Sequence, residues 1–178
     1  FRRVLFRSVV IRTLFEGAYK GLKSSKLVIL APVKCEKYIK KGKSGELLSR
    51  IQKEYAGLLS FFRADDLFAN VAVVVAPVQT VGNVIFSHFD VQDGKPRFWF
   101  RQIGNRKYEP SDSEQPLRYL LRFLLKKYTE RGNAVTKFFR KALGFDEAFK
   151  QAAAEVAKGC KNNTDGFAVL QGQNLLDN

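Results

Sequence analysis

The residues best placed for chemistry lie in two short segments, each following an apolar run. Ala31-Pro32-Val33-Lys34-Cys35-Glu36-Lys37-Tyr38 ends the run at residues 27–31, and Ala76-Pro77-Val78-Gln79-Thr80-Val81-Gly82 ends the run at residues 71–76. Both runs are apolar at every position, which suits parallel strands covered on both faces, and a proline stops each. In open parallel sheets, ligands bind beyond the C-terminal ends of the strands. The segments after both strands are therefore candidate ligand-binding loops. In the second segment Pro77 has no amide to offer.

The remaining reactive residue types point to less. Gly42-Lys43-Ser44 matches the end of the phosphate-loop pattern GxxxxGK[ST], but Lys37 stands where its first glycine belongs. It reads as a basic loop opening a helix. His88 has no carboxylate or serine at motif spacing and reads as a surface residue. Cys35, although set among lysines that would lower a thiol's pKa, reads as a small side chain tucked under the first loop. Cys35 and Cys160 form no CxxC and have one histidine between them. That excludes a zinc ribbon or a disulfide framework and suits a reducing, cytoplasmic setting. No catalytic residue and no metal ligand is assigned.

The elements that must position these loops follow from periodicity. Residues 9–23 carry Val10, Leu14, Ala18 and Leu22 at four-residue spacing, a short helix. Residues 45–62 place Leu47, Leu48, Ile51, Tyr55, Leu58, Leu59 and Phe62 on one helical face. Helix, strand, helix, strand predicts a right-handed crossover in a parallel α/β sheet. Residues 84–89 and 97–102, aromatic and β-branched around Asp93-Gly94, predict an appended hairpin whose aromatics pack on the core. Pro116 opens a helix to residue 128 with Leu117, Leu120, Leu121, Leu124 and Leu125 as its apolar face. Arg118, Arg122 and Lys126 form a solvated basic stripe on that helix, with an acidic protein as the partner it would suit. Residues 131–160 read as a helical extension and 161–178 as a polar tail.

The chain has 178 residues, and 31 Lys+Arg against 17 Asp+Glu give a net charge of +14. With 46% hydrophobic residues it can build a core, which excludes a disordered tail. No apolar run approaches the roughly 20 residues of a membrane-spanning helix. Eight lysines between Lys20 and Lys43 face one acid, Glu36, and the hairpin carries Phe98, Trp99, Phe100 and Arg101. A basic nucleic-acid-binding module with an aromatic hairpin is therefore the alternative function. Residues 1–8 (FRRVLFRS) resemble a translated sequencing-adapter primer and are set aside, which removes Arg2, Arg3 and Arg7 from that balance. The chain has no methionine, so it reads as a piece of a longer protein.

A strand followed by [NT]-K-x-D is the loop by which P-loop GTPases read guanine, and Val33-Lys34-Cys35-Glu36 matches it in part. Together with APVQTVG, Tyr108-Glu109-Pro110 and Glu114-Gln115-Pro116-Leu117-Arg118-Tyr119-Leu120-Leu121-Arg122-Phe123, it resembles the C-terminal half of the bacterial double-GTPase families. These are P-loop GTPases of the translation-factor-like class. The resemblance covers residues 9–128. It implies that residues 9–130 are the C-terminal part of a three-layer parallel-sheet GTPase domain with the hairpin as an insertion. The upstream half would carry the phosphate loop, the switches and the magnesium ligands. Lys34 would lie over the base, Glu36 would accept from its N1 and N2 groups, and amides of Val78, Gln79 and Thr80 would contact its carbonyl. The parent would bind GTP with magnesium and hydrolyse it as a regulator; this chain alone would be inactive.

Overall fold

The computed structural model describes residues 2–19, 22, 24–102, 104, 108–130 and 147–177. The chain is mixed α/β. Strand β1 (Lys26–Leu30) runs parallel to β2 (Val71–Val75), in register from Lys26↔Val71 to Leu30↔Val75. Between them lie the helices α2 (Glu36–Ile39), α3 (Ser44–Glu54), α4 (Ala56–Phe62) and α5 (Asp65–Phe68). Every residue of β2 is fully buried, as its unbroken run of valines and alanine requires.

Helices cover both faces of this sheet. On one, Leu58, Leu59 and Phe62 of α4 pack with Ile11, Phe15 and Tyr19 of α1 (Arg2–Tyr19) against Val28, Val71 and Val73. On the other, Tyr119 and Phe123 of α6 (Gln115–Glu130) pack against Ala72, Val74 and Ala76. The expected helix at 45–62 is two helices. Tyr55 leaves helical geometry (φ −103°, ψ 16°), so α3 can pack beside Val75 and Cys35 while α4 turns to α1. Its apolar face is as expected.

Two helices depart from their expected faces, one of them only in part. In α1 the buried stripe is Ile11, Phe15 and Tyr19, while Val10 and Leu14 are exposed, Leu14 to 68%. In α6 Tyr119 and Phe123 enter the sheet core and Leu121 and Leu125 pack on residues 153–157 as expected, while Leu117 and Leu120 face outward. Both sequences offer two adjacent apolar stripes, and the aromatic one buries more area per residue. Phe15 meets Phe62 edge to face at 5.2 Å.

The sheet is not wholly parallel, and the expected polar tail is part of it. Strand β5 (Ala168–Gln171) pairs antiparallel with β2 and gives the order β1-β2-β5. Phe167, Leu175 and Leu176 anchor it in the core. Gly172 takes a left-handed φ of +72° and lies so close to the β2 backbone that a Cβ there would sit 2.7 Å from Ala72 Cα. The buried Gln171 donates through Nε2 to the carbonyls of Phe62 and Val71. Of the expected helical extension, α7 (Glu147–Lys158) is a helix packed on α6, and residues 131–146 lie outside the described residues.

The predicted hairpin forms as β3 (Val84–Gln92) and β4 (Lys95–Gln102), a separate two-stranded sheet. Its aromatics do not pack on the core: Phe86, Phe89, Phe98, Trp99 and Phe100 are all exposed. No helix among the described residues is long and apolar enough to cross a membrane.

Candidate functional site

The loops after β1 and β2 continue side by side beyond the sheet. Val78 donates its amide to Pro32 O at 2.8 Å, and Val33 and Val78 form an isolated parallel bridge. Cys35, buried beneath, donates its thiol to Val78 O at 3.3 Å. Burial, followed by the neighbouring Glu36 carboxylate, pushes that thiol up to about 11, so it is an inert tucked side chain. The Val78 and Gln79 amides cannot serve a ligand as expected. The first goes to Pro32 and the second to Ser111 O at 3.0 Å. Buried polar backbone groups must be paired, and these find protein partners.

Glu36 is where the structure departs most from the sequence reading. It is 1% exposed, and its Oε1 accepts from the amides of Val81 (2.7 Å) and Gly82 (3.2 Å). That oxygen is occupied, so the carboxylate is not poised to receive both N1 and N2 of a base. It ties the two loops together. One helical turn on, Lys40 donates through Nζ to Gly82 O and Asn83 Oδ1, each at 2.6 Å. Glu36 thus grips the donors of the second loop and Lys40 an acceptor. The four-residue spacing of Glu36 and Lys40 was the available signal, but their partners are remote backbone groups with no side-chain signature.

A third segment closes over the second loop. Ser111 and Gln79 exchange backbone bonds, Gln79 Nε2 donates to Asp112 Oδ2 at 3.2 Å, and Tyr108 donates its hydroxyl to Thr80 O at 2.8 Å. Gly82, at φ +60°, sits where a Cβ would come within 2.0 Å of Glu109 O. The Thr80 hydroxyl is buried without a hydrogen-bond partner. The segments 31–38, 76–82 and 108–112 therefore meet in one place.

Beside this junction is a cavity of about 290 Å³ lined by Lys34, Glu36, Tyr38, Val81, Phe86 and Phe100, among others. Its size is near the lower end of small-molecule sites, roughly 300–1,000 Å³. Lys34 enters it from a left-handed backbone (φ 58°), a conformation that costs a non-glycine residue about 1–2 kcal/mol. Strain of this kind collects at functional sites. The cavity joins Lys34 and Glu36 but not Val33, Val78, Gln79 or Thr80.

The other candidates are occupied within the fold. Arg118 donates to Val156 O at 2.6 Å, and Arg122 donates to Leu176 O at 2.9 Å and pairs with Asp177. They hold the C-terminal segment to α6, so neither belongs to a solvated stripe. Tyr119 donates its hydroxyl to Lys161 O. Lys43 reaches Glu46 at 3.3 Å, and His88 stacks on Trp99 at the hairpin surface. Among the described residues there is no group of three His, Cys, Asp or Glu that could hold a metal ion. The chain matches no protein-family model, no curated protein and no solved structure.

Proposed function

We propose that this chain supplies the base-recognition end of a GTP-binding regulatory domain. The observation that carries the reading is the base-sized cavity at the C-terminal ends of two parallel strands, with a strained lysine and a buried carboxylate in its lining. Lys34 would cover the base with its stem, and Glu36 would accept from guanine through Oε2 while Oε1 holds the second loop. Adenine lacks guanine's N1–H and N2 donors, its one amino group lying at C6, and a buried acceptor left unpaired at the guanine edge disfavours it. Phosphoryl transfer needs a phosphate cradle and a metal clamp, which would come from the upstream half of the domain. An apolar groove of about 280 Å³ along β1, with Ile11, Phe15, Ile51, Tyr55 and Leu58 in its lining, suits a sheet that continues past β1.

Equilibrium dialysis of the chain against GMP and AMP tests the reading. GMP should bind at least tenfold more tightly than AMP, and Lys34→Ala should lose most of that binding. Equal retention of both nucleotides, or none of either, would refute it. A second reading, single-stranded nucleic-acid binding, is favoured by one observation: Phe86, Phe89, Phe98 and Phe100 are exposed on one ribbon. Steep salt dependence of binding to an RNA oligonucleotide would support that alternative.

A further inference from the structure

The hairpin leaves a row of aromatic rings in water. Phe86 opposes Phe100 and Phe89 opposes Phe98 across the two strands, and residues directly opposite share a face. The register shifts between Phe86 and His88, and this bulge brings Phe86 and Phe89, three residues apart, onto that same face. The rings follow one another at 6.1 to 6.5 Å, from Phe100 through Phe86 and Phe98 to Phe89. A fold gains by burying such a side chain, and this one leaves all four half exposed or more. Two of the rings differ from the rest in what they adjoin. Phe86 and Phe100, at the foot of the hairpin and half exposed (50% and 52%), line the cavity that holds Lys34 and Glu36. Phe89 and Phe98, farther out, are not among its lining residues. The bulge itself lies at the foot, with Ser87 in the cavity wall; bulges commonly occur where a sheet re-aims side chains beside a site.

We infer that the hairpin is a working wall of the base site: Phe86 and Phe100, which meet edge to face at 76°, form the aromatic corner against which the base packs, and Lys34 and Glu36 supply the polar contacts. The inference rests on the nucleotide reading above and adds to it the residues that set affinity. An aromatic wall binds any base by its π face, so it contributes affinity, while the carboxylate chooses among bases. The outer pair, Phe89 and Phe98, has the same residue type, the same face and similar exposure, and so provides an internal control.

Isothermal titration of the 178-residue chain with GMP tests this. Phe86→Ala and Phe100→Ala should each weaken GMP binding about 10- to 100-fold, the range of base–aromatic stacking. Phe98→Ala should change it less than twofold. Phe100→Tyr should restore binding and Phe100→Leu should not, which separates stacking from loss of apolar volume or of hairpin structure. Unchanged GMP affinity in both alanine variants would overturn the aromatic wall while leaving a base site at Lys34 and Glu36. Absence of GMP binding by the unaltered chain would overturn both.

Discussion

The junction of the two loops and the β3–β4 hairpin use similar backbone devices in opposite surroundings. Both turn through glycines at positive φ, Gly82 and Gly94, and both hold a carboxylate that accepts from an N–H, Glu36 from two amides and Asp90 from the Trp99 indole at 3.0 Å. At the junction the glycine is pressed against Glu109 and the carboxylate is buried; in the hairpin the glycine has open space and the carboxylate lies at the surface. The lesson is that the same local chemistry carries fold stability in one place and leaves residues available for a ligand in the other. The cavity lies where the two regions meet.

That contrast predicts very unequal responses to matched substitutions. Gly82→Ala should be the most damaging, lowering stability in urea denaturation by about 3–5 kcal/mol through collision with Glu109 as well as backbone strain. Gly94→Ala, strained but uncrowded, should lose only about 1–2 kcal/mol. Equal losses would mean that the third segment does not press on the second loop. Glu36→Ala should cost about 2–4 kcal/mol, since it leaves the Val81 and Gly82 amides buried without their acceptor. Asp90→Ala in the hairpin should stay within about 0.5 kcal/mol.

Alkaline pH probes the junction without mutation. Folded Cys35 keeps its proton up to about pH 11, whereas the ordinary thiol value is 9.0. The folded state therefore binds the proton more tightly, its advantage is complete below pH 9, and it is lost as pH rises through about 11. The melting temperature should fall over that window, by an amount on the order of 2 kcal/mol in stability, and Cys35→Ala should flatten the fall. Tyr119, pushed up to about 12 by burial, adds a loss of the same sign at higher pH. The smallest effect is expected in the outer hairpin: Phe89→Ser and Phe98→Ser should move stability by no more than about 0.5 kcal/mol. A larger loss would show that these rings pack against something beyond each other and the hairpin.

The parts legible in the sequence were those whose signal is local. Unbroken apolar runs marked β1 and β2, Pro32 and Pro77 marked where they stop, and Asp93-Gly94 marked the hairpin turn. Strand β5 was not legible because four residues in a short stretch between Gly166 and Gly172 carry little pattern; its burial depends on Phe167, Leu175 and Leu176 reaching a core built elsewhere. The face of α1, and the part of the α6 face at Leu117 and Leu120, differ from the expected ones because leucine and aromatic stripes lie side by side, and only packing chooses between them. At the site, Lys34 and Glu36 were legible as a pair. The grip of Glu36 on the Val81 and Gly82 amides was not, because backbone acceptors and donors leave no mark on residue identity. The hairpin face was hidden by the bulge, which breaks the two-residue alternation from which faces are read.

The central claim is that a guanine base occupies the cavity between the loop junction and the hairpin foot. The most direct test is an amide-resolved NMR titration of the chain with GMP, with AMP as the control. The account predicts saturable GMP-dependent shifts centred on Lys34, Glu36, Val81, Phe86 and Phe100, with much smaller shifts for AMP. Shifts confined to the outer hairpin around Phe89 and Phe98, or identical responses to the two nucleotides, would contradict it.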